Sequence, residues 1–476
     1  MAYRYGNRRQ ADMFPPTLEQ LVQQDAPVRV YNAFVDSMDI PSLGIKWEPD
    51  RVGNPAYDPK AMLKLLVYGY SYGIRSSRKL ERACYDNVSF MWLVGGLTPD
   101  HKTISEFRRK NKGAVKKVLT QSARVCIKIG LIDGNVLFVD GSKIRANASI
   151  AKSWTRERAI KALVDIDGRV EKLLADCEAV DVEEEGRESF SRVRTELADK
   201  KVLRAKIESA LEEMDREDRR YLNATDPDCV RVYSRQGSHA GYNAQIVVDD
   251  KNGLIVSGDV VDKNYDYGQF TPQIQRAQEV LESPCEKAVA DAGYTDYQDL
   301  SSPENEDIDI IVPSQDQARK NEREKKPFDK DDFTYDDEND CYICPTGHRL
   351  NYTSHDGIKR RKRYRAGQVC LRCKNFGVCT IDKVNGRNIS RSDYEHVRKR
   401  LEKRYEDPDV KTVFRRRKMR VEHPFGHIKR NLGAGHFLMR GLEGVRAEWS
   451  LLASAFNLTR MINLLGVGQI LAALSR

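Results

Sequence analysis

The sequence predicts a mixed α/β fold: a sheet domain interleaved with helices, preceded by a helical region and interrupted by two insertions. Three observations carry this. Short apolar runs at NVLFVD (135–140), EKAVADAGY (286–294) and IDIIVP (308–313) have the length and composition of buried strands. GYNAQIVVDD (241–250) and NGLIVSGDVV (252–261) are β-rich, and Asp249 to Gly253 supplies hairpin-turn residues between them. A helical pattern over Gln269–Leu281 separates that hairpin from the later strands. The resulting order is strand, insertion, hairpin, helix, strand, helix, strand, which is a mixed sheet.

Taken in chain order, residues 15–120 read as helical. Asp58 and Pro59 are an N-cap and a first-turn proline. Met62, Leu63, Leu66, Val67 and Tyr70 follow at helical spacing, and Gly73 is the stop. Shorter helical pieces are expected around Leu80–Cys84 and Ser89–Leu93. DHKTISEFRRKN (100–111) opens another helix and carries Arg108 and Arg109, which suit either a solvated face or DNA phosphates. In NVLFVD four apolar residues end in Asp140, as in a strand whose last residue points into a site. From Trp154 to Tyr221 the chain has 15 basic and 19 acidic residues. Leu163, Ile166, Val170, Leu173 and Cys177, then Leu203, Ile207, Ala210 and Met214, predict a helical hairpin turning near Glu183–Gly186. Residues 314–395 lose the rhythm, and from about 396 the chain is helical again, ending in an apolar and therefore buried helix over Leu442–Leu465. The division is a helical N-terminal domain (1–130), a core in two pieces (131–153 and 222–315), a helical insertion (154–221), a Cys-rich basic insertion (316–395) and C-terminal helices (396–476).

The 476 residues are 40% hydrophobic and 32% charged, too apolar for disorder throughout and long enough for two or three domains. The net charge of +9 hides an asymmetry. Residues 351–440 hold 25 Lys/Arg against 9 Asp/Glu, a net of +16, so the rest of the chain is at −7. Such a block suggests a polyanion partner. No apolar run of about 18 residues argues for a membrane span. The first residues, MAYRYGNRRQADMF, lack the apolar segment of a secretory signal. A cytoplasmic location with reduced cysteines is expected.

Asp140 and Asp291 each close an apolar run, and strand ends in α/β sheets are where ligands bind. Two such carboxylates held close need a cation between them, and magnesium or manganese takes oxygen ligands. An Asp after a strand is also an ordinary cap. In RRRKMRVEHPFGHIKRNLG (415–433), Val421, Phe425, Ile428 and Leu432 form an apolar stripe. Arg415, Lys418, Glu422 and Lys429 fall near one face, which suits either a third metal-binding carboxylate beside phosphates or a salt-bridged basic helix. Pro424 is expected to break or kink this helix.

Together FVDGSKIRANAS (138–149), GYNAQIVVDD (241–250), VADAGYTD (289–296) and VEHPFGHIKR (421–430) resemble the DDE transposases of bacterial insertion sequences. The nearest branch in appearance is the family numbered eleven eighty-two of the insertion-sequence-four-like group. The stretch YDPKAMLKLLVYGYSYGIRSSRKLERA, with TISEFRRKN after it, is similar to the helical domain preceding the catalytic core in that group. The resemblance spans about residues 15–465. It implies an RNase H-like core, a DNA-binding N-terminal domain and an acidic triad at Asp140, Asp291 and Glu422. It further implies two magnesium or manganese ions, cleavage of transposon ends and their joining to target DNA. Double-stranded DNA is the implied partner, with a homodimer forming on it and the protein at the nucleoid when bound. Arg415, Lys418, Lys429 and Arg430 would hold phosphates. Lys429 matches the group's Lys position, whereas the Arg position holds Lys418 and the Tyr position Arg415. Two other readings stay open: a transposase-derived DNA-binding protein without chemistry, and an RNase H-like nuclease that cuts but does not join.

CYIC (341–344) and CLRC (370–373) are two CxxC pairs, a pattern typical of zinc ribbons, with Cys379 and His348 as spares. Cys341, Cys344, Cys370 and Cys373 are the expected ligands, with Cys379 the alternative. Between the pairs, KRRKRYR (Lys359, Arg360, Arg361, Lys362, Arg363, Tyr364, Arg365) is expected to be a basic loop pinned by zinc and laid on DNA, or else a solvated charge run.

Overall fold

The computed structural model describes residues 15–46, 56–182, 187–216, 218–234, 237–319, 328–358 and 360–475. They form two compact units. One comprises Met1–Tyr265, Arg276–Pro284 and Met419–Arg476, the other Asp266–Gln275 and Cys285–Lys418.

The first unit opens with helices α1 (Val28–Asp36), α2 (Pro59–Ser71), α3 (Ser77–Asp86), α4 (Val88–Leu93), α5 (His101–Lys110) and α6 (Val118–Lys128). Their starts follow the capping chemistry of the sequence. The Asp58 carboxylate accepts the Lys60 amide at 2.9 Å, and that of Asp100 accepts Lys102 and Thr103 at 2.8 and 2.9 Å. Strand β1 (Val136–Arg145) follows. It runs five residues past Asp140, so Asp140 is mid-strand and not the last residue. The continuation GSKIR was hard to see because its residues are mostly half-buried, as on an antiparallel strand with one open face. Helices α7 (Arg156–Val182) and α8 (Arg187–Arg216) form the expected pair, packed through Ala159, Ile166 and Ile207 and braced by Arg169–Glu196 and Arg204–Asp167 ion pairs. Leu203 lies off this seam, 39% exposed. The Glu183–Gly186 turn and the Cys177 side chain lie outside the described residues.

Strands β2 (Val230–Ser234), β3 (Gly237–Asp249) and β4 (Ile255–Val261) complete the unit's sheet. β3 pairs antiparallel with β1 from Gly241 to Asp249, which sets Asp140 opposite Ile246, and it also pairs with β2 and β4. Gly253 closes the β3–β4 turn with φ +64°, a left-handed conformation that glycine adopts without strain. Helix α9 (Phe270–Leu281) comes next.

In the second unit, β5 (Lys287–Val289) and β6 (Asp309–Ile311) run parallel. Strands β7 (Thr334–Asp336), β8 (Cys341–Ile343), β9 (Arg349–Asp356), β10 (Arg361–Arg365) and β11 (Asn388–Ser392) build a five-stranded antiparallel sheet in the order β11-β10-β9-β8-β7. The basic run is therefore not a loop. Residues 361–365 are an inner strand with Tyr364 wholly buried among Phe333, Tyr342, Leu350 and Ile389. One buried residue per strand among Lys and Arg left almost no apolar signal. Helix α10 (Glu395–Tyr405) precedes α11 (Pro408–Gly426).

α11 runs straight through Pro424. Its stripe of Val421, Phe425, Ile428 and Leu432 is buried, and that packing outweighs the amide bond proline cannot make. The adjustment comes just afterwards, as a π-helical turn at His427–Asn431. The chain closes with α12 (Leu442–Leu465) and α13 (Val467–Leu474). α12 is the core of the first unit. Trp449 is fully buried and donates from Nε1 to the Gln245 carbonyl at 3.1 Å, and Asn457 exchanges two bonds with the Ile255 backbone. A Cβ on Gly258 would meet Trp449 Nε1 at 3.0 Å, so glycine lets the helix approach the sheet. Among the described residues no single helix is long and apolar enough to cross a membrane, and α12 with α13 pass only as a pair bent by 111°.

Candidate active site

The two aspartates have different settings. In the first unit, Asp140 accepts the Gly141 amide at 2.9 Å in the middle of β1. Lys429, on the π turn, donates from Nζ to Ser142 Oγ at 2.5 Å and to the Lys143 carbonyl at 3.2 Å. Burial lowers the pKa of this ammonium, and the Asp140 charge pulls it back up. Phe425 lies beneath the same cation, with its ring centroid 5.9 Å away, and stacks on Trp449. Glu422 is exposed and lines an open groove with His423, Gly426, Lys429, Arg430 and Asn431.

In the second unit, Asp291 stands two residues beyond β5 and caps the short turn at Ala292–Tyr294. One carboxylate oxygen accepts the Gly293 amide at 2.8 Å, and the other accepts Arg417 Nη2 at 2.9 Å. A Cβ on Gly293 would fall 2.8 Å from that first oxygen, so the Asp-Ala-Gly sequence is what permits this turn. Arg417 lies on α11, one residue short of Lys418 and five before Glu422. Sequence reasoning named Arg415 and Lys418, both exposed here, and missed Arg417. The signal was present: Arg417 stands four residues before Val421, on the stripe that turns inward.

A second missed group fixes the chain after Lys429. Arg75 and Glu448, 6% and 0% exposed, form a buried ion pair at 3.1 Å. Arg75 also donates to the carbonyls of Gly433 and His436 at 2.7 and 2.9 Å, and Glu448 accepts the amides of Leu438 and Met439. The same segment joins the end of β1, where Phe437 N donates to the Arg145 carbonyl at 2.8 Å. Arg108 belongs to this interior. Its guanidinium donates to Tyr70 Oη and the Arg75 carbonyl at 2.9 and 3.1 Å, so the structure does not offer it to a phosphate. Arg109 is exposed and lines an open polar groove with Arg78 and Lys102.

In the Cys-rich region the two CxxC pairs differ. Cys341 opens β8 and is buried at 2%, whereas Cys344 follows the strand. Cys344, Cys370, Cys373 and Cys379 line one cavity, and Cys341 is not among its lining. Of the basic run, Arg360 is exposed, and Lys362 and Arg363 reach Asp340 and Asp356 at 3.4 and 3.9 Å. Arg365 donates to Asn385, and Lys359 lies outside the described residues. Among the described residues no group of three or more His, Cys, Asp or Glu side chains is arranged to hold an ion.

Residues 16–110 match a transposase domain family (DUF772), and residues 343–462 match a transposase DDE domain family. The chain belongs to the DDE transposases of insertion elements. The first match covers α1 to α5 of the transposase. The second runs from the end of β8 into α12 and includes Glu422 and Lys429. No curated protein and no solved structure matches the chain.

Proposed function

We propose that this transposase binds the ends of its insertion sequence, cuts them and joins them to target DNA, with Asp140, Asp291 and Glu422 as its acidic triad. The observation that carries this reading is the stretch 417–429: its Arg417 is paired with Asp291, its Lys429 sits beside Asp140, and Glu422 lies between them in sequence. An RNase H-like core is supported by the antiparallel β4-β3-β1 arrangement of the first unit and the parallel β5–β6 pair of the second. The narrower family numbered eleven eighty-two and a homodimer on paired ends belong to the same proposal.

The three carboxylates are hard oxygen donors and fit magnesium or manganese. Two such ions, when bound, supply activation of the attacking oxygen and stabilisation of the leaving one. The chain's own part is to orient and to balance charge. Arg417 fixes one Asp291 oxygen and competes with a cation for it. Lys429 holds the β1 backbone beside Asp140 and keeps a positive charge where phosphate would approach. Water attacks the scissile phosphate in line to free a 3′-hydroxyl, which then attacks target DNA in the same geometry. Arg415, Lys418 and Arg430, with Arg78, Lys102 and Arg109 on the helical domain, contact DNA backbone and not bases.

Asp140→Asn and Asp291→Asn are expected to reduce magnesium-dependent cleavage of DNA carrying the element's ends by at least about a thousandfold, with end binding retained. Cleavage at the wild-type rate in either variant would overturn the triad. The joined product, run on a gel beside the cut product, separates a transposase from a nuclease.

A further inference from the structure

We propose that Cys344, Cys370, Cys373 and Cys379 form a four-thiolate zinc site in the Cys-rich region, and that Cys341, although half of a CxxC pair, is not a ligand.

Backbone geometry divides the cysteines. In CYIC the first three residues are a β-strand. Strand side chains alternate faces with a period of two, so positions three apart point to opposite sides. Cys341 accordingly goes into the sheet and Cys344 to the other side. In CLRC, Cys370 lies in a 3₁₀ turn, Gly367–Arg372, that ends at Cys373. With three residues per turn, positions three apart eclipse, and both sulfurs face one way. Cys379 arrives on the next turn, where its amide bonds the Asn375 carbonyl at 2.9 Å.

The cavity these four share is built for sulfur. The His348 amide donates to Cys344 Sγ and the Arg387 amide to Cys370 Sγ, each at 3.3 Å. Amides aimed at sulfur favour the thiolate, the form that binds metal. Thr346 Oγ1 lies 3.0 Å from Cys344 Sγ and 3.9 Å from Cys373 Sγ, between two of the four. Gly386 is forced by the same closeness, since a Cβ there would stand 2.9 Å from Cys370 Sγ. Burial and the neighbouring Cys370, Cys344 and Cys373 push the Cys379 thiol up, and the Arg387 charge pulls it down. About 20 Å³ is open to the centre of a water molecule, room for one small occupant.

The sulfurs do not already stand at ligand separations. Four neutral thiols have no reason to converge. Zinc displaces their protons and draws them in, so binding is coupled to local ordering. Zinc would then tie the turn after β8 to the segment joining β10 and β11, bracing the sheet that carries Arg361, Arg363 and Arg365.

The test uses the full chain, purified without added zinc and dialysed. Wild type is expected to carry about one zinc per chain by elemental analysis and, after exchange with cobalt(II), to show the intense absorption of a tetrahedral thiolate site. Cys341→Ala is expected to keep both signals, whereas Cys379→Ser should lose the stoichiometric zinc. Because Cys379→Ser risks misfolding, the second readout is alkylation of the folded wild type. Zinc should protect Cys344, Cys370, Cys373 and Cys379, and a chelator should expose them together. Zinc-free wild type, loss of zinc on Cys341→Ala, or alkylation of Cys379 in the zinc-loaded protein would each overturn the proposal. None of these measurements depends on DNA cleavage, so the triad and the zinc site stand or fall separately.

Discussion

Asp140 and Asp291 carry the same side chain and are held by opposite means. Nine residues of β1 pair in register with β3 around Asp140, so its backbone is fixed by the sheet. Asp291 follows a strand of three residues and depends on a cap turn and on Arg417. A carboxylate placed by main chain tolerates loss of its side-chain neighbours. One placed by an ion pair does not. The first unit also locks its half of the site from behind, through Arg75 and Glu448 under the segment after Lys429.

The largest effect should come from breaking that lock. Glu448→Ala leaves Arg75 charged and buried without its partner and two amides unmet, an expected cost of about 3–5 kcal/mol. Urea unfolding should show a lower midpoint at unchanged slope. A loss under about 1 kcal/mol would mean that the packing of α12 alone holds the segment. The contrast between the aspartates is sharpened next by Arg417→Ala. This should lower cleavage roughly 10- to 100-fold, as loss of a residue supporting a metal ligand does, with little change in stability. Lys429→Ala should do less to the placement of its aspartate, because the β1–β3 register remains. Equal losses in cleavage and in magnesium requirement would erase the distinction. The smallest effect is a pH dependence. Burial lowers the pKa of His423 and His427, with Arg460 adding to the first and His423 to the second. Their unfolded forms take up protons at higher pH than their folded forms. Stability should therefore fall as pH drops below about 6.5, the ordinary histidine value. Thermal midpoints between about pH 7.5 and about pH 5.5 should show that slope, and His427→Gln should flatten it.

Much of this was legible in the sequence. The Asp58 and Asp100 caps, the hairpin turn at Gly253 and the buried α12 follow from local chemistry, and the structure places them where that chemistry says. What escaped were features set by tertiary context. β1 continued past Asp140 because an antiparallel strand with one open face can be polar. The strand 361–365 hid its single tyrosine among cations. Pro424 sat inside a helix because the stripe beneath it was already buried. Of the candidate site, the three acids and Lys429 could be named from motifs, whereas Arg417 and Arg75 required helix phase and a partner 373 residues away. Cys341 and Cys344 look equivalent to Cys370 and Cys373 until the backbone under each pair is known.

The π turn at His427–Asn431 makes this region sensitive to chain length more than to composition. It accommodates the chain between a regular helix and the Gly433–Met439 segment that Arg75 and Glu448 grip. A substitution there changes one contact. Deleting a single residue would let the turn relax to α-helix and swing everything beyond it by about 100°. Gly433 and His436 would leave Arg75, and Phe437 would leave the end of β1. Loss of one codon in this turn should thus be harsher than any single replacement within it.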